Sequence, residues 1–594
     1  MPAFGRWPTA RWARWGAVAL ALGLATAALA YLLAPYAALR AWYLARTPTL
    51  YRADTWARDF FTPAVKAQGN WFCVGGLALL ALALAWGWLP EASRARLLGG
   101  PAESQVPFTV ASGPGRLAGS RADWPYLASL LAAAAGLWAW GATHLPPAYD
   151  EVFSAVYSAG SGSVLVAGSY YMLPNNHLLF NMLNGGLFGK LLPATGLLAT
   201  GRLLSGLAYG ATVAVVYRTL ASLTGQRALA AGLALLAAVQ YSLWGFGSQA
   251  RGYALYALMH WLAVATLLRH WQRPTPASRW GNAAAVAVGY ATVPTFLFYH
   301  AAQLLAEAAV QLQRRTFDGR FWLAQAGALG AVYWFYLPAL CFSGLPALTG
   351  NQYVRPHHGP LLAFAARAWP HFRDYATYCF GNTGLGDGVG YALALLPALG
   401  LLGPRAGAGL FGGVKRRLAL LYVLWVLVLG AGILRLQLLV FPRNLVGLFS
   451  LMLVLGLLTL GGLAGRWRRW AGVAAPLLLA AWIGARFVRN NPVQDPRNLY
   501  TSDVLGDYQA GRRRVATLPT AGSLAFSEES FYPYFLSQQA GRLAPHPAQR
   551  PVAAADYFVT APNDQLPPRL APQYQPLDTV GTYRLYRRAG GQRP

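Results

Sequence analysis

Long apolar runs separated by short polar segments make up most of the chain. Most runs have about 17 to 25 residues, the length that an α-helix needs to cross the hydrocarbon core of a bilayer. We predict thirteen membrane spans, at about residues 15–36, 70–89, 124–142, 196–216, 228–247, 252–268, 281–297, 299–312, 321–341, 388–403, 417–434, 444–462 and 471–487. The pattern predicts a polytopic α-helical membrane protein.

The composition agrees with this fold class. Of the 594 residues, 56% are hydrophobic and 11% are charged, whereas soluble domains carry about 25% charged residues. The net charge of +29 is compatible with nucleic-acid binding. The arginine clusters, however, lie between apolar runs, where cytoplasmic loops of membrane proteins collect Lys and Arg. We therefore interpret the charge as a topological signal and expect no nucleic-acid partner.

The distribution of arginines also predicts which loops face outward. The first residues, "MPAFGRWPTARWARWG", contain three arginines and no acid, so we expect a cytoplasmic N-terminus. Alternation then places "RHWQRP", "RRTFDGR", "VKRR" and "RWRRW" inside. Residues 40–68 carry five cations and would lie outside. Either the bias fails there, or the first two spans form a re-entrant or surface pair.

Three regions follow from the change in composition along the chain. We predict an N-terminal extension with two spans at residues 1–122 and a transmembrane catalytic core at residues 123–488. From about residue 489 the chain is polar and rich in proline. Two β-like runs, "ADYFVTA" and "TYRLYRR", flank "QPLDTVG" there. Residues 489–594 are therefore expected to form a small extracytoplasmic α/β domain.

Carboxylates are scarce in the predicted core, where only four lie between Glu151 and Asp495. Asp150 and Glu151 follow "HLPPAY" at the start of the long loop near 143–195, which we expect outside. Neighbouring residues on a helix point in different directions, so one could accept a proton while the other organises the loop. The alternative is that both are ordinary charges of an interfacial loop.

The same loop contains a polar cluster in "LPNNHLLFNML". An Asn at a helix start is most often an N-cap, which is the simpler interpretation of Asn175 or Asn176. His177 has more scope for function, because the pKa of an imidazole can be tuned across neutral pH.

The order of these motifs resembles the glycosyltransferase C superfamily, in particular the protein O-mannosyltransferases and the lipid A aminoarabinose transferases. Three more stretches resemble that family: "LLATGRLLSGLAYGATV" with Arg202, "SQARGYALY" with Arg251 and Tyr253, and "VFPRNLVGL" with Arg443. The resemblance covers residues 124 to 590. In the family a His is often followed by prolines, whereas here the proline precedes His177.

The resemblance implies a core of about eleven helices, preceded here by the two N-terminal spans. It also implies an inverting transfer of a hexosyl or pentosyl group from a polyprenyl-phosphate-linked donor to a hydroxyl or phosphate of a protein, lipid or glycan acceptor. The bias towards Leu, Ala, Gly and Arg suggests a bacterial genome. We therefore expect a multi-pass protein of the bacterial inner membrane with its active site facing the periplasm.

Such a transfer needs a base near the attacking hydroxyl and positive charge near the departing phosphate. We predict Asp150 as the base, and Glu151 as a residue that orients the loop or provides a second acceptor group. For the arginines the alternative is interfacial snorkelling. The residues predicted to bind substrate are Asn176, His177, Arg202, Arg251, Tyr253, Tyr353, Arg355, His357, His358, Arg435 and Arg443.

No cofactor is obligatory in this prediction. "RPHHGP" could bind a divalent metal, but adjacent histidines are a weak ligand set, and the resemblance implies a metal-free reaction. Three other classes of function stay open: a secondary transporter, a polysaccharide polymerase or ligase, and a non-catalytic scaffold. A transporter would have two homologous halves, and the uneven spans show no such repeat.

Overall fold

The computed structural model describes residues 9–98, 121–171, 177–349, 359–368, 395–399, 413–438, 440–463, 502–542, 544–548, 555–561, 566–568 and 570–589, with isolated positions between some of these ranges. The described residues are mostly helical, and a small sheet lies near the C-terminus.

The N-terminal segment contains the helices α1 (Thr9–Leu33), α2 (Tyr36–Arg46) and α3 (Pro63–Trp88). Between α2 and α3 the chain makes a short helix and a π-helical turn. Helix α3 packs along the later helix Gly319–Phe342. The two helices lie close together at Gly76, where a Cβ would be 3.1 Å from the Trp334 ring.

Eleven further helices, α4 to α14, form the helical body. In chain order they are Trp124–His144, Tyr149–Phe153, Leu197–Thr224, Arg227–Ala238, Tyr241–Gly247, Tyr253–Gln272, Pro276–Thr292, Phe296–Arg314, Gly319–Phe342, Val414–Leu436 and Val446–Leu463. Helices α6, α9, α10 and α12 pack in sequence against one another and enclose most of the apolar core.

Six helices of the described chain are long and apolar enough to cross a membrane. They are α1, α3, α4, α6, α12 and α13, and each coincides with a predicted span. The protein is therefore a multi-pass membrane protein. Helices α9, α10, α11 and α14 also occupy predicted spans but do not meet the same length and hydropathy criteria. Two other predicted spans, 388–403 and 471–487, lie largely outside the described residues, so the count of thirteen stays a prediction.

The predicted span 228–247 is bent in the structure. The structure divides it into α7 and α8, which meet at an angle of 66°. The break falls at Gln240, whose backbone is extended. Because of this bend, the segment that follows α8 returns to α5 and brings Ala250 and Arg251 beside it.

The predicted outer loop folds into short helices and turns. Besides α5, it contains Val164–Ser169, Leu178–Asn181 and π-helical turns at Ser154–Ser158 and Met182–Phe188. Most of the first thirty residues of the loop are buried in the protein, because their aromatic side chains pack against the N-terminal segment and the C-terminal region.

The C-terminal region forms a four-stranded sheet with the order β1-β2-β4-β3. Its strands are Leu524–Phe526, Tyr557–Thr560, Tyr574–Val580 and Tyr583–Arg588, numbered β1 to β4 in chain order. Strands β1 and β2 are parallel, and the other two pairings are antiparallel. Helices α15 (Ser502–Ala516) and α16 (Phe531–Gln539) pack together beside the sheet. Both predicted β-like runs contain strands, and "QPLDTVG" between them is a strand as well.

Candidate functional site

Asp150 lies between two arginines that come from distant parts of the chain. Its Oδ2 atom is 3.2 Å from Arg251 Nη2 and 3.1 Å from Arg443 Nη1. The Asp150 side chain is 28% exposed, that of Arg443 is 30% exposed, and that of Arg251 is 2% exposed. The carboxylate is thus held by buried and half-buried cations and keeps part of its surface open.

Three turns bring these groups together. Asp150 is in the first turn of α5, Arg251 is in the turn between α8 and α9, and Arg443 is in the short 3-10 helix Pro442–Leu445 that precedes α14. The Arg251 guanidinium also donates to the backbone carbonyl of Asp150 over 3.3 Å. Arg251 therefore contacts both the backbone and the side chain of Asp150.

Glu151, the neighbour of Asp150, is fully buried and has a different environment. Its two carboxylate oxygens accept hydrogen bonds from Arg202 Nε and Nη2, both at 3.0 Å. The backbone N–H groups of Ala148 and Ala250 donate to the same carboxylate over 2.7 and 2.6 Å. A bidentate guanidinium and two amides satisfy this buried charge.

Arg202 makes several further hydrogen bonds in the same network. Besides binding Glu151, its guanidinium donates to the backbone carbonyls of Ala142, Leu145 and Pro146. These carbonyls belong to the end of α4 and the segment that leads to α5. Arg202 therefore fixes the chain entering α5, and its guanidinium faces this segment rather than the open side of Asp150.

His177 and Tyr253 lie against the two arginines of the site. The Tyr253 ring centroid is 5.6 Å from the Arg251 guanidinium carbon and 5.8 Å from that of Arg443, within the range of a cation–π contact. The His177 ring packs edge-on against Tyr253, with centroids 4.6 Å apart. We call Asp150, Arg251, Arg443, Tyr253 and His177 the Asp150 cluster.

The imidazole of His177 is neutral in this environment. Burial lowers its pKa well below the usual value, and the positive charges of Arg251 and Arg443 lower it further. Its Nδ1 atom lies 3.4 Å from the Thr292 carbonyl oxygen. Its buried Nε2 atom has no hydrogen-bond partner among the described residues.

The C-terminal region covers the back of α5. The Tyr149 and Phe531 ring centroids are 4.7 Å apart, and the hydroxyl of Tyr532 donates to the Pro147 carbonyl over 3.1 Å. Phe153 packs edge-on against Phe531 as well, at 5.6 Å. Helix α16 thus packs against the helix that carries Asp150.

The N-terminal segment reaches the same junction. The Tyr51 hydroxyl and the Arg52 guanidinium both donate to the Glu529 carboxylate. The Tyr51 ring contacts Phe153 and Tyr157, with centroids 5.1 and 4.8 Å away. Sequence reasoning did not single out these residues, because nothing in their local pattern indicates that positions more than 470 residues apart meet.

The remaining predicted site residues have other placements. Arg435 is exposed in the last turn of α13, and the cations that pair with Asp150 in the described chain are Arg251 and Arg443. Five predicted residues lie outside the described part of the chain: Asn176, Tyr353, Arg355, His357 and His358. Within the described part, no group of three or more His, Cys, Asp or Glu side chains could hold a metal ion.

A second buried carboxylate, Glu307 of α11, lies beside the C-terminal end of α9. It accepts hydrogen bonds from Trp271 Nε1 over 2.6 Å and from Gln311 Nε2 over 2.7 Å. His270 Nε2 is 3.4 Å from it. Through these contacts Glu307 joins α11 to the end of α9.

The structure of ArnT from Cupriavidus metallidurans bound to undecaprenyl phosphate matches over 80% of this chain and 100% of that chain, with 13% sequence identity and a TM-score of 0.51. The structure of ArnT from Cupriavidus metallidurans in the apo state matches over 78% of this chain and 98% of that chain, with 14% sequence identity and a TM-score of 0.49. The structure of arabinosyltransferase EmbB from Mycobacterium smegmatis matches over 78% of this chain and 47% of that chain, with 14% sequence identity and a TM-score of 0.36.

No protein-family model matches the chain, and no curated protein matches it in sequence. The likeness to ArnT therefore concerns the fold, and it extends over the whole length of ArnT. The chain therefore has the fold of ArnT, in agreement with the resemblance seen in its motifs.

Proposed function

We propose that the protein is a membrane glycosyltransferase that moves a sugar from a polyprenyl-phosphate-linked donor to an acceptor, with inversion, at the extracytoplasmic face. The observation that carries the proposal is the partly exposed carboxylate of Asp150 between the guanidinium groups of Arg251 and Arg443. A base and two cations are the groups that this reaction needs side by side.

Asp150 is the general base of the proposed reaction. It takes the proton of the acceptor hydroxyl while the acceptor oxygen attacks the anomeric carbon, and the bond from that carbon to the phosphate oxygen breaks. General base catalysis contributes about 10²–10⁴-fold to such a step. The open part of the Asp150 side chain gives the acceptor access to the carboxylate.

Arg251 and Arg443 stabilise the departing phosphate. Guanidinium groups suit phosphate oxygens because they donate two parallel hydrogen bonds. Arg443 binds Asp150 through Nη1 and its side chain is partly exposed, so it can reach an incoming phosphate. The positive charge for the leaving group comes from these side chains, and an obligatory metal ion is not part of the proposal.

His177 and Tyr253 complete the donor site in this proposal. The buried Nε2 atom of His177 lacks a partner among the described residues. Because Nδ1 faces the Thr292 carbonyl and the pKa of His177 is lowered, Nε2 of the neutral ring can accept a hydrogen bond from a sugar hydroxyl of the donor.

Glu151 and Arg202 have a supporting role. Two roles were open for Glu151, a second acceptor group or the orientation of the loop. The second is favoured, because every oxygen of Glu151 is held by Arg202 and by backbone amides. The same contacts remove Arg202 from the set of donor-binding residues that we propose.

The test is turnover by the full chain reconstituted in liposomes with a panel of polyprenyl-phosphate sugars and a crude envelope extract. The readout is release of free polyprenyl phosphate. We expect release by the native protein and a loss of about 10²–10⁴-fold in Asp150→Asn. The matched control is Asp59→Asn, the same change at an exposed aspartate paired with Arg58.

Each outcome has a defined meaning. Release that depends on Asp150 and persists in Asp59→Asn supports the proposal. Equal release by folded Asp150→Asn excludes Asp150 as the base. If no donor is turned over by folded native protein, the result counts against a transferase and favours the transporter or scaffold.

A further inference from the structure

A cleft lies between α6 and α9 at the membrane face opposite Asp150. It encloses about 660 Å³ of empty space, part of it open to the surroundings. Arg218 and Ser222 of α6 and Arg269 and Gln272 of α9 line its polar part, and Val215 and Leu262 line its apolar part.

The two helices fix the position of the cleft relative to the Asp150 cluster. Arg218 follows Arg202 by sixteen residues on α6, and Arg269 follows Tyr253 by sixteen residues on α9. At 1.5 Å per residue, each separation is about 24 Å along the helix axis. The hydrocarbon core of a bilayer is about 30 Å thick. The cleft arginines therefore lie near the headgroups of the other leaflet.

The charge of the cleft is not neutralised by the described part of the protein. Arg218 and Arg269 are exposed, and neither is within ion-pair distance of a described carboxylate. Acids on the same face are bound elsewhere. Asp123 pairs with Arg227 at 2.7 Å, and Asp318 pairs with Arg279 at 2.7 Å. This pattern leaves two neighbouring cations to attract an anion.

We propose that this cleft binds a glycerophospholipid with an anionic headgroup. The phosphate lies between Arg218 and Arg269, and the headgroup reaches the hydroxyl of Ser222 and the amide of Gln272. An acyl chain runs along the apolar part of the cleft. Basic pockets between membrane helices recognise anionic lipids by this combination of charge and apolar surface. The simpler alternative is that both arginines only extend into the headgroup region.

The test uses the purified full chain in detergent and native mass spectrometry with phosphatidylglycerol. The double variant Arg218→Gln/Arg269→Gln is compared with Arg315→Gln/Arg320→Gln, which removes the same charge from two exposed arginines on the same face outside the cleft. An arginine near an anionic lipid contributes about 1 kcal/mol. The cleft variant should therefore bind phosphatidylglycerol about thirtyfold more weakly, and the control should bind it as the native protein does.

Further arms distinguish the source of the phosphate and the site. We expect phosphatidylcholine to bind weakly, inorganic phosphate not to compete at equal concentration, and Arg443→Gln to keep the lipid affinity. An equal loss in the Arg315/Arg320 control would overturn the proposal, because attraction to the whole basic face would explain it. Equal binding of phosphatidylcholine, displacement by inorganic phosphate, or an equal loss in Arg443→Gln would also overturn it.

Discussion

The carboxylate of Asp150 is 3.1 Å from the guanidinium of Arg443, although 293 residues separate the two in the chain. The contact joins the loop after α4 to the turn before α14. A transfer from a phosphate-linked donor needs the base and the cation at one place, because the attacking and departing oxygens lie on opposite sides of the same carbon. The functional proposal therefore rests on this pair more than on any motif.

Arg443→Gln should weaken donor binding. The change removes one charged donor to the phosphate and leaves a shorter, neutral polar side chain. Hydrogen bonds to charged groups contribute about 1.5–3 kcal/mol, so we expect the Kd for a polyprenyl-phosphate sugar to rise by about tenfold or more. Equilibrium binding of a labelled donor to the protein in nanodiscs measures this change directly.

Arg435→Gln is the matched control for this prediction. Arg435 is an exposed arginine eight residues earlier, at the end of α13, and it was one of the predicted phosphate ligands. The structure gives it no contact with Asp150, so its variant should bind donor as the native protein does. An unchanged Kd in Arg443→Gln, or an equal rise in both variants, would contradict the assignment of Arg443.

Glu151→Gln should destabilise the protein far more than Asp150→Asn. Removing one partner of a buried ion pair costs about 3–5 kcal/mol, and Arg202 would keep an uncompensated charge. The Asp150 side chain is partly exposed, and Arg251 keeps its hydrogen bond to the Asp150 backbone carbonyl, so Asp150→Asn should be destabilised less than Glu151→Gln. Thermal unfolding of both variants in the same detergent compares them. Equal stability of the two would show that the Glu151–Arg202 pair does not hold the loop.

The sequence could identify Asp150 because carboxylates are scarce in the predicted core. Scarcity made the Asp-Glu pair visible, and the motif order added Arg251, Tyr253 and Arg443 to it. The sequence could not indicate which of the two carboxylates is exposed and which is buried. Glu151 is held by Arg202 and two backbone amides, whereas Asp150 is held by Arg251 and Arg443. These contacts depend on how distant helices pack.

The same limit applies to the fold. Hydropathy located the six helices that are long and apolar enough to cross a membrane, since each span of lipid-exposed chain must be apolar. It did not reveal the bend between α7 and α8 at Gln240, because the two helices together have the hydropathy of one span. It also gave no indication that Glu529, one acid among several in the polar tail, binds Tyr51 of the N-terminal segment.

The lowered pKa of His177 predicts how stability depends on pH. Its folded-state pKa lies well below 6.5, so below about pH 6.5 the unfolded chain binds a proton that the folded protein does not. The contribution of His177 is therefore present above about pH 6.5 and is lost as the pH falls towards the folded-state pKa. In this range the unfolding free energy falls by up to about 1.4 kcal/mol for each pH unit.

His177→Gln should make this dependence shallower. We would measure the unfolding free energy of the native protein and the variant between pH 7.5 and 5, values chosen to bracket the unfolded pKa of about 6.5. His144→Gln, at an exposed histidine on the same side of the protein, is the control and should leave the slope unchanged. The prediction fails if the two histidine variants have the same slope.

Glu529→Ala should loosen the helix that carries Asp150 without touching the Asp150 cluster. Glu529 accepts hydrogen bonds from Tyr51 and Arg52, and Tyr51 packs against Phe153 at the end of α5. An unsatisfied hydroxyl costs about 1–3 kcal/mol. We expect faster amide hydrogen exchange in residues 149–158 and lower turnover with an unchanged Kd for the donor.

The adjacent glutamate provides the control for this last prediction. The carboxylate of Glu528 accepts from the backbone N–H of Arg52 over 3.2 Å, a contact that orders neither the Tyr51 ring nor the Arg52 guanidinium. Glu528→Ala should therefore change exchange in residues 149–158 less than Glu529→Ala does. If the two variants exchange alike, the docking of α16 alone holds α5. If hydrogen exchange in neither variant differs from that in the native protein, the contacts of Glu529 with Tyr51 and Arg52 have no effect on the helix that carries Asp150.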